Sequence, residues 1–284
     1  MLSAAEIYRY RTEGFLVVEE VLTDDQVTEG RRVIEELVES SREVRTSDEV
    51  YDLEADHTPD QPRVRRIKRP TQVHPFFDGL LRSDRILDLL EPLLGRDIRA
   101  LGSKLNLKTG GGGSAVEWHQ DFAFHPHTND DVLALGVAFD DCTLDNGCLM
   151  VVPGSHVGPV LDHHQDGAFV GAIAPESEPV DLARAVPVEV PAGGISVHHA
   201  RTLHGSSSNA SSNPRRLLLW DVAAADAWPL FRSVEDLDAF NAQIVRGAPT
   251  LEPRLEPVPV RLPLPLPEGT IFALQAERKD RAFA

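Results

Sequence analysis

The sequence predicts a mainly β chain with flanking helices, built on a double-sheet jelly roll. Three observations lead there. Short apolar segments, several of them alternating, recur from Phe15 to Ala223, divided by Gly and Pro turns. Helical periodicity is confined to the N-terminal third. The length of 284 residues, with 42% hydrophobic and 26% charged residues, suits one β-sandwich with helical additions, and no linker divides 1–284.

Ser3 can cap a helix to about Arg11, with Glu6 completing a capping box and Gly14 ending the element. Phe15-Leu16-Val17-Val18 reads as a strand. Thr23-Asp24-Asp25 opens a second helix to about Ser41, with Val27, Val33, Ile34 and Leu37 near helical spacing. Residues 44–62 are polar and acidic and read as a mobile loop. Arg63 to Arg69 then holds five basic residues in seven. Either these pair with the preceding acidic loop on a solvated strand, or one of them reaches an active site and binds an anion.

Pro75 to Leu94 carries a helical apolar stripe closed by Gly95. Ile98 to Lys108 alternates as a strand whose Lys104, Asn106 and Lys108 share a face, either solvent or a barrel interior. Gly110 to Gly113 lacks the Gly-Lys-Ser/Thr ending of a phosphate loop and reads as a flexible loop at a barrel mouth. His125 and His127 alternate too, but Pro126 argues against a central strand, so they should line an entrance or face water. Val132 to Phe139 is an apolar strand. Asp145-Asn146-Gly147 is a hairpin-type turn before the strand Cys148 to Val152. Residues 159–187 read as a covering insertion, Ile195–His199 and Arg215–Ala223 as strands, and the tail from Pro253 as extended on the surface. With 44–62 and 110–113, the insertion is expected to form a mobile lid.

The net charge of −17 argues against nucleic acid or anionic membrane as the main partner and leaves a small molecule. No basic region followed by an apolar run opens the chain, and no stretch reaches the apolar length of a membrane span. Cys142 and Cys148, the only cysteines, suit small buried side chains in a reduced cytoplasmic setting. The oligomeric state is not legible.

The chemistry-bearing stretch is Glu117-Trp118-His119-Gln120-Asp121. On a strand, His119 and Asp121 point to one face and Gln120 to the other. With His204 from Arg201-Thr202-Leu203-His204-Gly205-Ser206 they make a two-histidine, one-carboxylate facial triad that leaves coordination positions open for Fe(II) oxygenase chemistry. His-x-Asp alone is weak in a chain with eleven histidines.

The ordered set Trp118-His119-Gln120-Asp121, Asp145-Asn146-Gly147-Cys148-Leu149, Pro153-Gly154-Ser155-His156, His204-Gly205-Ser206 and Arg215 is far more specific. From about Gly14 to Trp220 it resembles the phytanoyl-CoA dioxygenase family of Fe(II)/2-oxoglutarate oxygenases. The resemblance implies the double-stranded β-helix, a cupin-like jelly roll. It implies His119, Asp121 and His204 as iron ligands, 2-oxoglutarate as cosubstrate and dioxygen as oxidant, with hydroxylation of a C–H bond and release of succinate and CO2. Arg215, eleven residues after His204, takes the position of the cation for the distal carboxylate, where a guanidinium offers a bidentate fork. Strand alternation sends Arg216 to the opposite face. Ser206 matches a hydroxyl beside that carboxylate, and Lys104 and Arg66 match basic cosubstrate contacts. Asp121 stands where related halogenases have a small residue, which favours hydroxylation or another oxidation. Gly136 stands where the family often has tryptophan, which is expected to enlarge the pocket. A 2-oxoglutarate-independent metal dioxygenase or isomerase would not need Arg215, and a non-enzymatic jelly roll would use His119 and Asp121 as a core hydrogen-bonded pair.

Overall fold

The structure is a computed structural model and describes residues 1–174, 180–231, 233–258, 260–266, 275 and 281–283. The chain opens on α1 (Ala4–Glu13), whose N-terminus carries the reciprocal Ser3/Glu6 capping box, and Gly14 closes it at φ 82°. After β1 (Phe15–Val18) comes α2 (Asp24–Ser40), begun by a second capping box of Thr23 and Gln26. Its Val27, Val33 and Ile34 are buried. Gly30 lies directly against the Phe139 ring, in space that any side chain would need.

β2 (Tyr51–Leu53) and β3 (Val64–Lys68) form a hairpin out of the acidic stretch and the basic run. The expected loop over 44–62 is thus partly strand. Tyr51 and Asp52 are buried, and Asp52 receives Arg66 Nε at 2.7 Å and Lys68 Nζ at 2.9 Å. Arg65 pairs with Glu54 and Arg69 with Glu49, so most of the basic run pairs with the acidic loop. After the short α3 (Pro70–Val73), the apolar stripe from Pro75 to Leu94 is divided between α4 (Pro75–Leu81) and α5 (Asp84–Leu94). The break between the last two falls at Arg82 and Ser83.

The remaining strands are β4 (Ile98–Lys108), β5 (Val116–His119), β6 (Val132–Ala138), β7 (Leu149–Val151), β8 (His164–Gln165), β9 (Ala168–Phe169), β10 (Val186–Val188), β11 (Ile195–His199), β12 (His204–Ser206), β13 (Arg215–Ala224) and β14 (Ile244–Arg246). Short helices α6 (Asp121–Phe124) and α7 (Leu237–Asn241) interrupt them. A large antiparallel sheet runs β1-β11-β6-β13-β4-β3-β2, with β14 also on β4. A smaller sheet runs β10-β7-β12-β5, and β8–β9 is a separate hairpin. These are the two sheets of the jelly roll, with the helices against the outer face of the larger one.

Alternation along β13 decides which side meets what. Leu218, Trp220 and Val222 join the core shared with Phe77, Ile86 and Leu90 of the helices. Leu217 and Leu219 turn inward to meet Cys142, Cys148, Val151 and Val188, and Arg215 and Asp221 share that inward face. β4 does the same: Leu105 is in the outer core, and Lys104 and Asn106 face the interior.

Two expected loops pack tightly. Gly110 lies against the Ser212 backbone, and the Gly111 N–H donates to Ser211 O at 2.7 Å. A Cβ on Gly113, at φ +108°, would sit 3.0 Å from Lys108 Cα. The 159–187 segment contains the β8–β9 hairpin and β10, and it buries Leu161, His163, Phe169 and Ile173. Its residues 175–179 lie outside the described ones. The tail is largely exposed between 251 and 266, but further on Phe283 packs its ring 5.2 Å from that of Trp118. No helix among the described residues is long and apolar enough to cross a membrane.

Candidate metal centre

His119 ends β5 and His204 begins β12, and the two are cross-strand partners whose ring centroids lie 4.1 Å apart. Each imidazole is fixed from behind. His119 Nδ1 meets Glu117 O at 2.7 Å, and His204 Nδ1 meets Thr202 O at 2.9 Å. A carbonyl oxygen only accepts, so both Nδ1 atoms carry the proton and both Nε2 lone pairs face forward. Asp121 lies two residues past the end of the strand, at the start of α6 rather than on β5. Its side chain still shares the face of His119, because Gln120 keeps extended dihedrals (φ −120°, ψ 125°). Gln120 points the other way, its Nε2 donating to Arg201 O at 2.7 Å and its Oε1 accepting from the Leu161 N–H at 2.8 Å.

Asp121 Oδ1 is 3.7 Å from His119 Nε2, and Oδ2 is 3.8 Å from His204 Nε2. The three donor atoms lie within 4.8 Å of one another, and all three side chains are buried. Two imidazole lone pairs and a carboxylate converging from one side fit a divalent ion of the facial-triad type. Charge agrees with this. Burial would raise the Asp121 pKa, but Lys104 and His204, with His119 and His198 against the carboxylate, hold it well below the usual carboxylate range. Burial, with His119 and His198 close by, keeps His204 well below the ordinary imidazole value, in the neutral form that a metal needs.

All seven residues singled out in the sequence line one cavity of about 190 Å3. Arg215 and Ser206 are buried, and Arg215 stands four residues along β13 from Leu219, the cross-strand partner of the Lys104 that meets Asp121. Arg216 leaves the cavity and pairs with Asp140 at 2.8 Å and Glu35 at 2.9 Å. Lys104 stands at the carboxylate end, 3.8 Å from Asp121 Oδ1 and 3.7 Å from Asp221 Oδ1. Burial disfavours its charge, but Asp221 and then Asp121 outweigh that and raise its pKa. Arg66, in register with Asn106, lines the wall while its guanidinium engages Asp52.

Two residues of the cavity wall, His198 and Asp221, and one behind it, Lys108, were given no role in the sequence reading. His198 Nε2 lies 3.1 Å from Asp121 Oδ2; the only trace of it was the polar alternation of Ser196 and His198 along β11. Lys108 Nζ bonds Ser206 Oγ at 2.8 Å, and the shared face with Lys104 and Asn106 was its signal. Asp221 lies six residues beyond Arg215 on the same face of β13.

Two expectations are corrected. Gly136 does not enlarge the cavity: a Cβ there would lie 2.8 Å from Ser196 Oγ and 3.3 Å from both Leu217 and Leu219, which fill the space. His125 does line the entrance, but His127 is buried with Nδ1 on His125 O at 2.7 Å, and burial lowers its pKa to about 4. A second cavity of about 410 Å3 shares Phe124, His125 and Asp221 with the first.

The family model for phytanoyl-CoA dioxygenase (PhyH) matches residues 10–217. The chain belongs to the phytanoyl-CoA dioxygenase family. It is 36% identical over 261 residues to a Stutzerimonas stutzeri protein described as "Probable alpha-ketoglutarate-dependent hypophosphite dioxygenase", covering 90% of this chain and 91% of that one. It is 30% identical to L-proline trans-4-hydroxylase of Streptomyces griseoviridis over 74% of this chain and 82% of the relative. Among solved structures, the epimerase SnoN in complex with Fe3+, alpha ketoglutarate and nogalamycin RO superposes with a TM-score of 0.67. That pair is 25% identical, over 88% of this chain and 96% of SnoN.

Proposed function

We propose that this chain is an Fe(II)- and 2-oxoglutarate-dependent dioxygenase that oxidises a small molecule. The observation that carries the reading is one cavity lined both by a converging His119–Asp121–His204 donor set and by a buried guanidinium, Arg215. Iron and 2-oxoglutarate together supply dioxygen activation, with oxidation of the cosubstrate to succinate and CO2. The protein's own part is physical. Hydrogen bonds to Glu117 O and Thr202 O hold the two imidazoles in the ligating tautomer. His198 steadies Asp121, Arg215 and Ser206 receive the distal carboxylate, and apolar Leu149, Leu217 and Leu219 line the wall between.

The substrate reading rests on volume and on relatives. About 190 Å3 lies below the roughly 300–1,000 Å3 of drug-sized ligand sites, which favours a compact molecule beside the cosubstrate. Hypophosphite, from the 36% identical relative, is the first substrate to try, followed by proline, from the 30% identical one. Free, buried Cys142 and Cys148 suit the reducing cytoplasm, and the interleaved cores of helices and large sheet support one domain over 1–284.

The test is succinate formation by the Fe(II)-reconstituted protein from 2-oxoglutarate under air, with each substrate and with none. Substrate-stimulated succinate, abolished in His204→Ala, is the expected result. Iron binding without any 2-oxoglutarate turnover or binding would overturn it in favour of a cosubstrate-independent dioxygenase.

A further inference from the structure

Lys108 and Arg215 are cross-strand partners on β4 and β13, and each is only 3% exposed. Two buried basic side chains thus stand side by side, and among the described residues no carboxylate forms an ion pair with either. Lys108 Nζ is held by three oxygens: Ser206 Oγ at 2.8 Å, Gly147 O at 3.3 Å and Ser207 O. The chain is shaped to allow this. Gly147, at φ +76°, brings its turn so close that a Cβ there would lie 2.9 Å from Nζ, and Gly113 packs on the lysine stem.

Proton counting gives this arrangement two states. Two of the three oxygens are carbonyls and can only accept. A neutral amine has two N–H groups for them and a lone pair that accepts the Ser206 O–H, which turns that hydroxyl away from the cavity. An ammonium has three N–H groups, donates to all three oxygens, and frees the Ser206 O–H to donate into the cavity. We infer that Lys108 is a positioning residue for the cosubstrate: a proton taken from solvent when the distal carboxylate of 2-oxoglutarate binds charges Lys108 and turns the Ser206 hydroxyl toward that carboxylate. This rests on the proposed dependence on 2-oxoglutarate.

The surroundings leave the free lysine poised. Burial and then Arg215 lower its pKa to about 6, against smaller raising effects from Cys148, Cys142 and Glu54. The cysteines are themselves buried, with pKa values raised to about 11, so they stay neutral thiols. Glu54 is engaged by Arg65 and by Ser114. A bound carboxylate would be the first unshared negative charge against Nζ and Arg215, and it would favour the charged lysine.

The experiment is calorimetric titration of 2-oxoglutarate into the Fe(II)-loaded protein under argon. It is run from pH 5.5 to 8.5 in pairs of buffers with different ionisation enthalpies. Wild type should take up nearly one proton per ligand at pH 7.5 and progressively less below pH 6. Its Kd should rise about tenfold per pH unit above pH 6. Lys108→Met should show a flat Kd and no uptake. Lys108→Arg, always charged, should also lose the uptake yet keep tighter binding than Lys108→Met at pH 8.5. Binding by wild type without proton uptake, or unchanged uptake in Lys108→Met, would overturn this inference and leave the dioxygenase reading standing. No binding of 2-oxoglutarate at any pH would overturn both. If neither variant folds, judged by circular dichroism, the wild-type proton number and pH slope decide alone.

Discussion

Arg215 and Arg216 are neighbours in sequence, and exchanging each for leucine should have opposite consequences. Arg216 is mostly buried and bidentate to Asp140 (2.8 and 2.9 Å), with Glu35 on a further nitrogen. Removing one partner of a buried pair costs about 3–5 kcal/mol. Partial exposure and the surviving Arg31–Asp140 contact at 3.3 Å reduce this to about 2 kcal/mol. For a chain of this size that is a Tm fall of about 3–4 °C. Arg215 is buried without a carboxylate partner among the described residues, its Nε lacks a hydrogen bond, and Lys108 lies beside it. Burial lowers its pKa, the sign of a charge held at a cost. Leucine there should leave the cosubstrate-free Tm unchanged or raise it by up to about 7 °C, since replacing buried charge with apolar packing is often neutral or stabilising by about 1–4 kcal/mol. The same change removes a bidentate, charge-assisted contact and should weaken 2-oxoglutarate binding about 100-fold or more. The assay is thermal unfolding of the Fe(II)-loaded proteins under argon, with and without 2-oxoglutarate. At about 100 times Kd the ligand should stabilise wild type and Arg216→Leu by about 2.7 kcal/mol and Arg215→Leu by almost nothing. Equal Tm losses in the two variants, or equal stabilisation by ligand, would refute the reasoning.

Three further outcomes are expected. His204→Ala should lower Fe(II) affinity at least about 100-fold, measured by equilibrium dialysis, because only two of three donors remain; retained affinity would remove it from the ligand set. Gly136→Ala should destabilise by about 1–3 kcal/mol in urea unfolding, because its Cβ meets Ser196 Oγ at 2.8 Å, and Ser196→Gly in the same chain should restore most of the loss; additive losses would point elsewhere. Burial pushes the His163 pKa down to about 3, where its Nε2 accepts the Gln120 N–H at 2.8 Å. The unfolded imidazole, at about 6.5, binds the proton first, so this stability is complete above pH 6.5 and is lost as pH falls toward 3. Urea unfolding of the metal-free protein should therefore lose on the order of 1–2 kcal/mol per pH unit below pH 6, and a flat profile from pH 7 to 4.5 would contradict it.

What the sequence determined by itself is local or strongly patterned. Both capping boxes, Ser3/Glu6 and Thr23/Gln26, are fixed within four residues. That Lys104, Asn106 and Lys108 share one face of β4, and that Arg215 and Arg216 part, follow from a period of two, while which way the β4 face turns was decided by the closed barrel. The triad was legible because His119 and Asp121 are neighbours and the spacing of motifs through His204 to Arg215 is specific. The tertiary structure decided what depends on long-range partners. The acidic stretch at 51–53 became strand only because β3 was there to pair with it. Gly136 looked like vacant space until Ser196, Leu217 and Leu219, remote in sequence, were found to fill it. His198 and Lys108 carry no motif. Their roles come from lying 3.1 Å from a carboxylate 77 positions away and 2.8 Å from a hydroxyl 98 positions away. A hydrogen bond depends on distance and direction in space, and only the closed barrel sets those for residues so far apart along the chain.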